Sequence, residues 1–165
     1  YIPVDNQQVI DELYEEVQFY HIDHLTQKLE QIRQGGYNKI EYSRLLELVN
    51  SQTGKPLQLP NLKLSFMQLN YLDLSFSNLR GCDFTSCQAQ EIKICNANLS
   101  NCNFSDTKLK KANLSESVLT KSTFERANMS NCILTRVIAK DCNFTKARLI
   151  NADMREGDYE NSNFN

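Results

Sequence analysis

The chain has 165 residues, 41% of them apolar, and a net charge of −2. That is enough for one large or two small domains with a real core, and no stretch approaches the roughly 18 unbroken apolar residues that a membrane helix needs. Residues 1–60 carry 5 basic and 9 acidic side chains and residues 61–165 carry 13 and 11, so neither part is a polyanion or a polycation. The chain opens at Tyr1 rather than methionine and enters patterned sequence at once, which reads as a fragment or processed form.

The first fifty residues have helical spacing. After Asp5, a suitable N-cap, Val9, Leu13, Val17 and Tyr20 fall on one helical face. Asp23 caps a second, shorter helix with Leu25, Leu29 and Ile32 on one side, and Gly35-Gly36 ends it. Residues 38–50 predict a third helix, with Tyr42, Leu45, Leu46 and Val49 facing inward. The tract SQTGKPLQLP, with one glycine and two prolines, is the joint between the helical part and the rest of the chain.

Beyond Pro60 the period becomes five. From Leu64 to Phe164, every fifth residue forms a series of 21 centres, 19 of them large and apolar or aromatic, without insertion or deletion. The position two before the centre is Ala, Cys, Ser, Thr or Gly in 16 of 21 cases, and the position just before it is Asn or Asp in 11 of 21. A helix needs a period near 3.6 and a flat strand a period of 2, so this is a repeat architecture. Units such as ANLSN, CNFSD, ANLSE, ANMSN and ADMRE resemble the pentapeptide-repeat family. The resemblance implies a mainly β fold, a right-handed quadrilateral parallel β-helix of about five coils, with the centre and the small residue inward and the other three outward. Four sides of five residues make twenty, and Phe84, Phe104, Phe124, Phe144 and Phe164 return at that interval. They are expected in one column about 4.8 Å apart, beside the small inward partners Cys82, Cys102, Ser122, Cys142 and Ser162. Where the centre shrinks to Ala139, its partner grows to Val137.

Six cysteines show no CxxC and no Cys/His pairing, so a zinc site is not expected. Five of them (82, 87, 102, 132 and 142) hold the small inward position as compact hydrophobes, which suggests reduced thiols and a cytoplasmic or nuclear location. Cys95 follows a centre, is expected to face water, and is the one candidate reactive thiol. The sequons at Asn98, Asn103, Asn113, Asn128 and Asn143 are written by the repeat itself. His21 and His24 lack companion ligands, Asp11, Glu12, Glu15 and Glu16 read as a solvated helix surface, and the five glycines are too scattered for a phosphate cradle. No catalytic, cofactor or metal site is expected, and the chain is not read as an enzyme.

The segment VIDELYEEVQFYHIDHLTQKLEQ resembles the closing helices of BTB/POZ domains of the potassium-channel-tetramerisation type, through Leu13, Glu15, Glu16, Val17, Phe19, Tyr20, Ile22 and Leu25. Val17 stands where that pattern has alanine. The expected organisation is therefore 1–34 as BTB/POZ-like helices, 35–59 as connector and N-terminal cap, and 60–165 as the repeat. Proteins of that order are thought to engage a cullin scaffold through the BTB domain, whose front would lie upstream of Tyr1, while the repeat presents a substrate to a ubiquitin ligase. The resemblance thus implies a protein-interaction scaffold, a substrate adaptor assembled through its BTB domain into a homo-oligomer; separately, the inward-facing Phe164 and the unpaired strand edges beside it are expected to be covered by further chain or by end-to-end pairing of two rods. The alternatives are a bacterial-type repeat that imitates duplex DNA against a topoisomerase, and a purely structural spacer. Mimicry needs a regular negative surface, which the +2 repeat lacks. Direct nucleic-acid binding is not expected, on interleaved charges and an assumed lack of exposed aromatics.

Overall fold

The computed structural model describes Leu45, Leu48, Val49 and residues 56–165. Eighteen parallel bridges, from Gln58↔Asn78 to Asn143↔Asn163, each join a residue to the one twenty positions on. Successive bridges start five residues apart, so the chain turns through four sides before lying beside itself: a four-sided parallel β-helix. Each rung carries two hydrogen bonds, as where Asp83 N–H donates to Leu62 O (2.9 Å) and Leu64 N–H to Asp83 O (2.8 Å).

The corners explain why the unit is five residues long. The residue two after each centre has φ between 55° and 66° at twenty non-glycine positions, and 73° at Gly81. Its neighbour closes a turn, as when Cys87 N–H donates to Phe84 O (3.1 Å), and a positive φ at the third turn residue is the type II signature. A left-handed conformation costs an ordinary residue about 1–2 kcal/mol. Two sets of bonds offset that cost. The corner N–H donates to the next coil, as from Phe66 to Thr85 O (2.9 Å) or Lys111 to Ser130 O (2.9 Å). The second set accounts for the Asn or Asp before the centre. At all eleven such positions the side-chain Oδ1 accepts the N–H of the residue two further on, from Asp73 with Ser75 (3.1 Å) to Asn163 with Asn165 (3.1 Å). An Asx bond of this kind bends the chain into the corner.

The centres fill the interior. Phe84, Phe104 and Phe124 are wholly buried, Phe144 nearly so, and their rings stack at 4.5, 4.9 and 4.9 Å with planes within 6° of parallel. Phe164 extends the column at 4.8 Å but is 46% exposed, because no described coil lies beyond it. Three further columns, mostly aliphatic, run through Leu69, Leu74 and Leu79 of the first coil and are buried until their last members, Leu149, Met154 and Tyr159, which are partly buried. On the last of these, Tyr159 meets Phe144 and Phe164 edge-on at 6.2 and 6.0 Å. Gly157 makes room for it: a Cβ there would lie 2.4 Å from the Tyr159 ring. Val137 and Ala139 are both buried one coil earlier, large and small exchanging places.

At the N-terminal end the inward positions Leu62, Met67 and Leu72 are large rather than small. Leu45 is helical and wholly buried in the same apolar cluster, with Leu48 and Val49 packed against it. The two helices expected over residues 5–34, including His21, His24 and the acidic Asp11–Glu16 group, lie outside the described residues, as does most of the third.

Candidate interaction surface

The interior residues singled out by the repeat are placed where chemistry with solvent is hardest. Cys82, Cys87, Cys102, Cys132 and Cys142 are buried, and no disulfide joins any of the six cysteines. They are more than filler. Each Sγ donates to the carbonyl of a centre 23 residues earlier, from Cys132 to Leu109 O at 2.8 Å to Cys82 to Leu59 O at 3.1 Å. Thr107, Ser117 and Ser122 make the same bond through oxygen at 2.7, 2.7 and 2.6 Å. The small position therefore has two duties, leaving room for the centre and satisfying a carbonyl inside the coil; cysteine does the second weakly and the first well. Ser122 and Ser162 also accept the N–H of Cys102 (3.0 Å) and Cys142 (2.9 Å), tying successive coils. Burial pushes the thiols of Cys82 and Cys132 up to about 12, and that of Cys102 well above its ordinary value, so thiolate is scarce at neutral pH. Cys95 is half-buried with its Sγ 3.1 Å from Ser75 Oγ, less open than its sequence position implies.

Whatever this domain recognises must meet the other three residues of each unit. They carry all 24 charged side chains of residues 61–165. Most ion pairs there join neighbouring coils: Lys111 with Glu91 (3.3 Å), Arg126 with Asp106 (2.7 Å), Arg136 with Glu116, and Lys140 with Glu160 (2.7 Å). The hydrogen bonds from Arg126 hold the Asp106 carboxyl below the usual range, and those from Lys140 do the same for Asp158. All these groups are well exposed, so each pair adds little to stability. They zip the outside of the coils together and neutralise one another.

The expected lack of exposed aromatics is corrected by the first coil. Phe66, Tyr71 and Phe76 occupy three of its successive corners and are 75%, 72% and 62% exposed. The five-residue pattern assigns them only an outward, variable position, and their left-handed backbone (φ 62–66°) turns the side chain away from the core. All other corners from Asn61 to Asn161 are Asn, Asp, Ser, Gly, Glu, Lys or Arg. Among the described residues no group of three His, Cys, Asp or Glu is placed to hold a metal ion, and no helix is long and apolar enough to cross a membrane.

Comparison with known proteins agrees with this geometry. No curated protein matches the chain. Among solved structures, the pentapeptide repeat protein Rfr23 of the cyanobacterium Cyanothece 51142 is similar at 19% identity, over 67% of this chain and 86% of that one, with a TM-score of 0.56. A pentapeptide repeat protein of the Arabidopsis thaliana thylakoid lumen is similar at 20% identity, over 65% and 61%, with a TM-score of 0.50. Such likeness speaks to the fold. The family model for pentapeptide repeats matches residues 97–136 in eight copies, eight successive five-residue units of the coil. Sequence pattern and coil geometry thus agree that residues 97–136 carry pentapeptide repeats, and that the four-sided coil they form is the fold of residues 58–163 as a whole.

Proposed function

We propose that the chain is a non-enzymatic protein-interaction scaffold, with the solenoid as the part that presents or receives a partner. One observation carries this reading. Every interior position is committed to packing or to a coil-to-coil hydrogen bond, whereas the three outward positions carry all 24 charges on a frame whose corners are bonded at each turn. Such a frame is rigid, flat-sided and free to vary on its surface without loss of fold, which suits recognition. Duplex mimicry fits less well, since the outward residues sum to +2 rather than to a negative column. The adaptor form of the reading, with cullin engagement through a BTB/POZ-like domain, rests on the resemblance carried by Leu13, Glu15, Glu16, Phe19 and Tyr20. Six free thiols support placing it in the cytoplasm or nucleus.

The test is a cross-linking capture experiment with the whole chain and four variants, each reversing two charges on one face. The reading expects a specific protein to be lost with one face only, at unchanged melting temperature; indifference of the captured proteins to all four variants would refute it. For the adaptor form, a protein that includes the region preceding Tyr1 should co-precipitate a cullin and lose it when that region is removed.

A further inference from the structure

The four faces are not furnished alike. On the phenylalanine face, four of six positions before the centre hold Asn or Asp, and on the third and fourth faces (centres from Leu74 and Leu79) three of five do. The second face runs through Leu69, Ala89, Leu109, Met129 and Leu149, and there only Asn128 keeps the rule. The others are Gln68, Gln88, Lys108 and Arg148, which lack an acceptor at the right reach and make no Asx bond. Four frame-stabilising bonds are forgone so that long side chains can stand outward.

Charge follows the same line. With each corner counted on the face it ends, the bases divide as 3, 4, 3 and 3 and the acids as 3, 1, 4 and 3, so the second face is +3 and the other three together are −1. Its single acid, Glu91, is taken by Lys111. Lys108, Lys110 and Arg148 are exposed and have no ion-pair partner among the described residues. Lys108 and Arg148 lie two coils apart in one column, roughly 10 Å. At the near end of this face the corners Phe66 and Tyr71 flank Gln68, holding large exposed rings where the left-handed backbone favours Asn or Gly.

Building on the scaffold reading, we propose that the second face is the docking face, and that its occupant is an acidic polypeptide segment running along the solenoid axis. Its carboxylates lie over Lys108, Lys110 and Arg148, and an apolar side chain rests on Phe66 and Tyr71. Five coils at about 4.8 Å give room for roughly six extended residues. The side-chain amides of Gln68, Gln88 and Gln90 make no hydrogen bond among the described residues. An amide offers a donor and an acceptor, which matches the peptide group repeated along an extended segment, whereas the sugar-phosphate backbone of DNA offers acceptors only, its donors being confined to the bases. That favours a polypeptide over a nucleic acid.

The experiment is fluorescence anisotropy with the whole chain at low and physiological salt. The probes are a labelled peptide of glutamate and glycine ending in tyrosine and a single-stranded oligothymidylate of equal charge. Lys108→Glu/Lys110→Glu is expected to weaken peptide binding by about tenfold or more, and the fourth-face control Arg80→Glu/Lys121→Glu by less than about twofold, with unchanged melting. Equal loss in the control, tighter binding of the oligothymidylate, or no peptide binding would each overturn the proposal. The scaffold reading is decided separately: if capture of a protein depends on another face, this docking face is wrong while the scaffold stands.

Discussion

Replacing Phe124 by alanine removes a wholly buried ring with a parallel neighbour at 4.9 Å on either side. A buried Phe→Ala change costs about 3–5 kcal/mol through lost transfer energy and residual cavity, and two ring contacts at roughly 0.5–1.5 kcal/mol each place this site toward the upper end. The neighbouring coils cannot close the gap, because both their spacing and that of the rings are fixed by the bridge ladder at Asn103, Thr123 and Asn143. At the end of the column, Phe164 is 46% exposed with a single parallel neighbour, so Phe164→Ala should cost about half as much. Lys121→Ala, at an exposed corner, should stay within about 0.5 kcal/mol. Urea unfolding followed by circular dichroism measures all three, provided the slope with denaturant is unchanged. Similar losses for Phe124→Ala and Lys121→Ala would refute the inward register; similar losses for Phe124→Ala and Phe164→Ala would refute the role of stacking along the axis.

The Asx bonds give a second test. Asn103→Ala loses the acceptor of Ser105 N–H (3.0 Å) and Ser105 Oγ (2.7 Å) and should cost about 1–2 kcal/mol in urea unfolding, while Gln88→Asn restores a missing bond and should stabilise by up to about 1 kcal/mol. Gly157→Ala drives a methyl to within 2.4 Å of the Tyr159 ring, so melting should show overpacking worth about 1–3 kcal/mol. Burial raises the thiols of Cys82 and Cys132 from an ordinary 9.0 to about 12, so above pH 9 the unfolded chain holds fewer protons and stability falls as pH rises, by on the order of 1 kcal/mol per pH unit for each thiol. Urea midpoints between pH 8 and 11 should show a shallower decline in Cys82→Ser/Cys132→Ser; an identical decline would place the sensitivity elsewhere.

Much of the fold was legible because burial in this architecture is decided by one period. A large apolar residue every fifth position leaves no other way to bury Leu64, Leu69, Leu74 and Leu79 together, and the return of phenylalanine at twenty sets the number of sides. The corners were not legible. Lys111, Arg126 and Lys146 have no preference for positive φ; they adopt it because their N–H groups must reach the next coil, a demand that exists only once coils are stacked. The donor role of the cysteines was hidden for the same reason, since the accepting carbonyl lies 23 residues away. The exposed Phe66, Tyr71 and Phe76 were visible as residues but not as a group, because corners of one coil are neighbours only around the axis.

Departures from the repeat pattern are the natural place to look for recognition, but they are not all alike. Val118, Ile133 and Ile138 also replace Asn or Asp before a centre, and Val118 pairs directly with Ile138 across a parallel bridge. β-Branched residues suit a strand, which accounts for all three within the frame, and the Val118–Ile138 pair returns part of what the lost Asx bonds gave there. Gln68, Gln88, Lys108 and Arg148 have no such compensation. Unbranched polar side chains gain little from a strand and lose rotamer freedom when ordered, so their concentration in one column weakens the coil without a structural return. A solenoid stabilised by near-identical units tolerates that loss when its neighbours are sound, as the regular faces on either side of this column are. The second face is thus where the frame is weakest in its own terms and where its net charge is gathered, and a surface selected for binding is the arrangement that accounts for both.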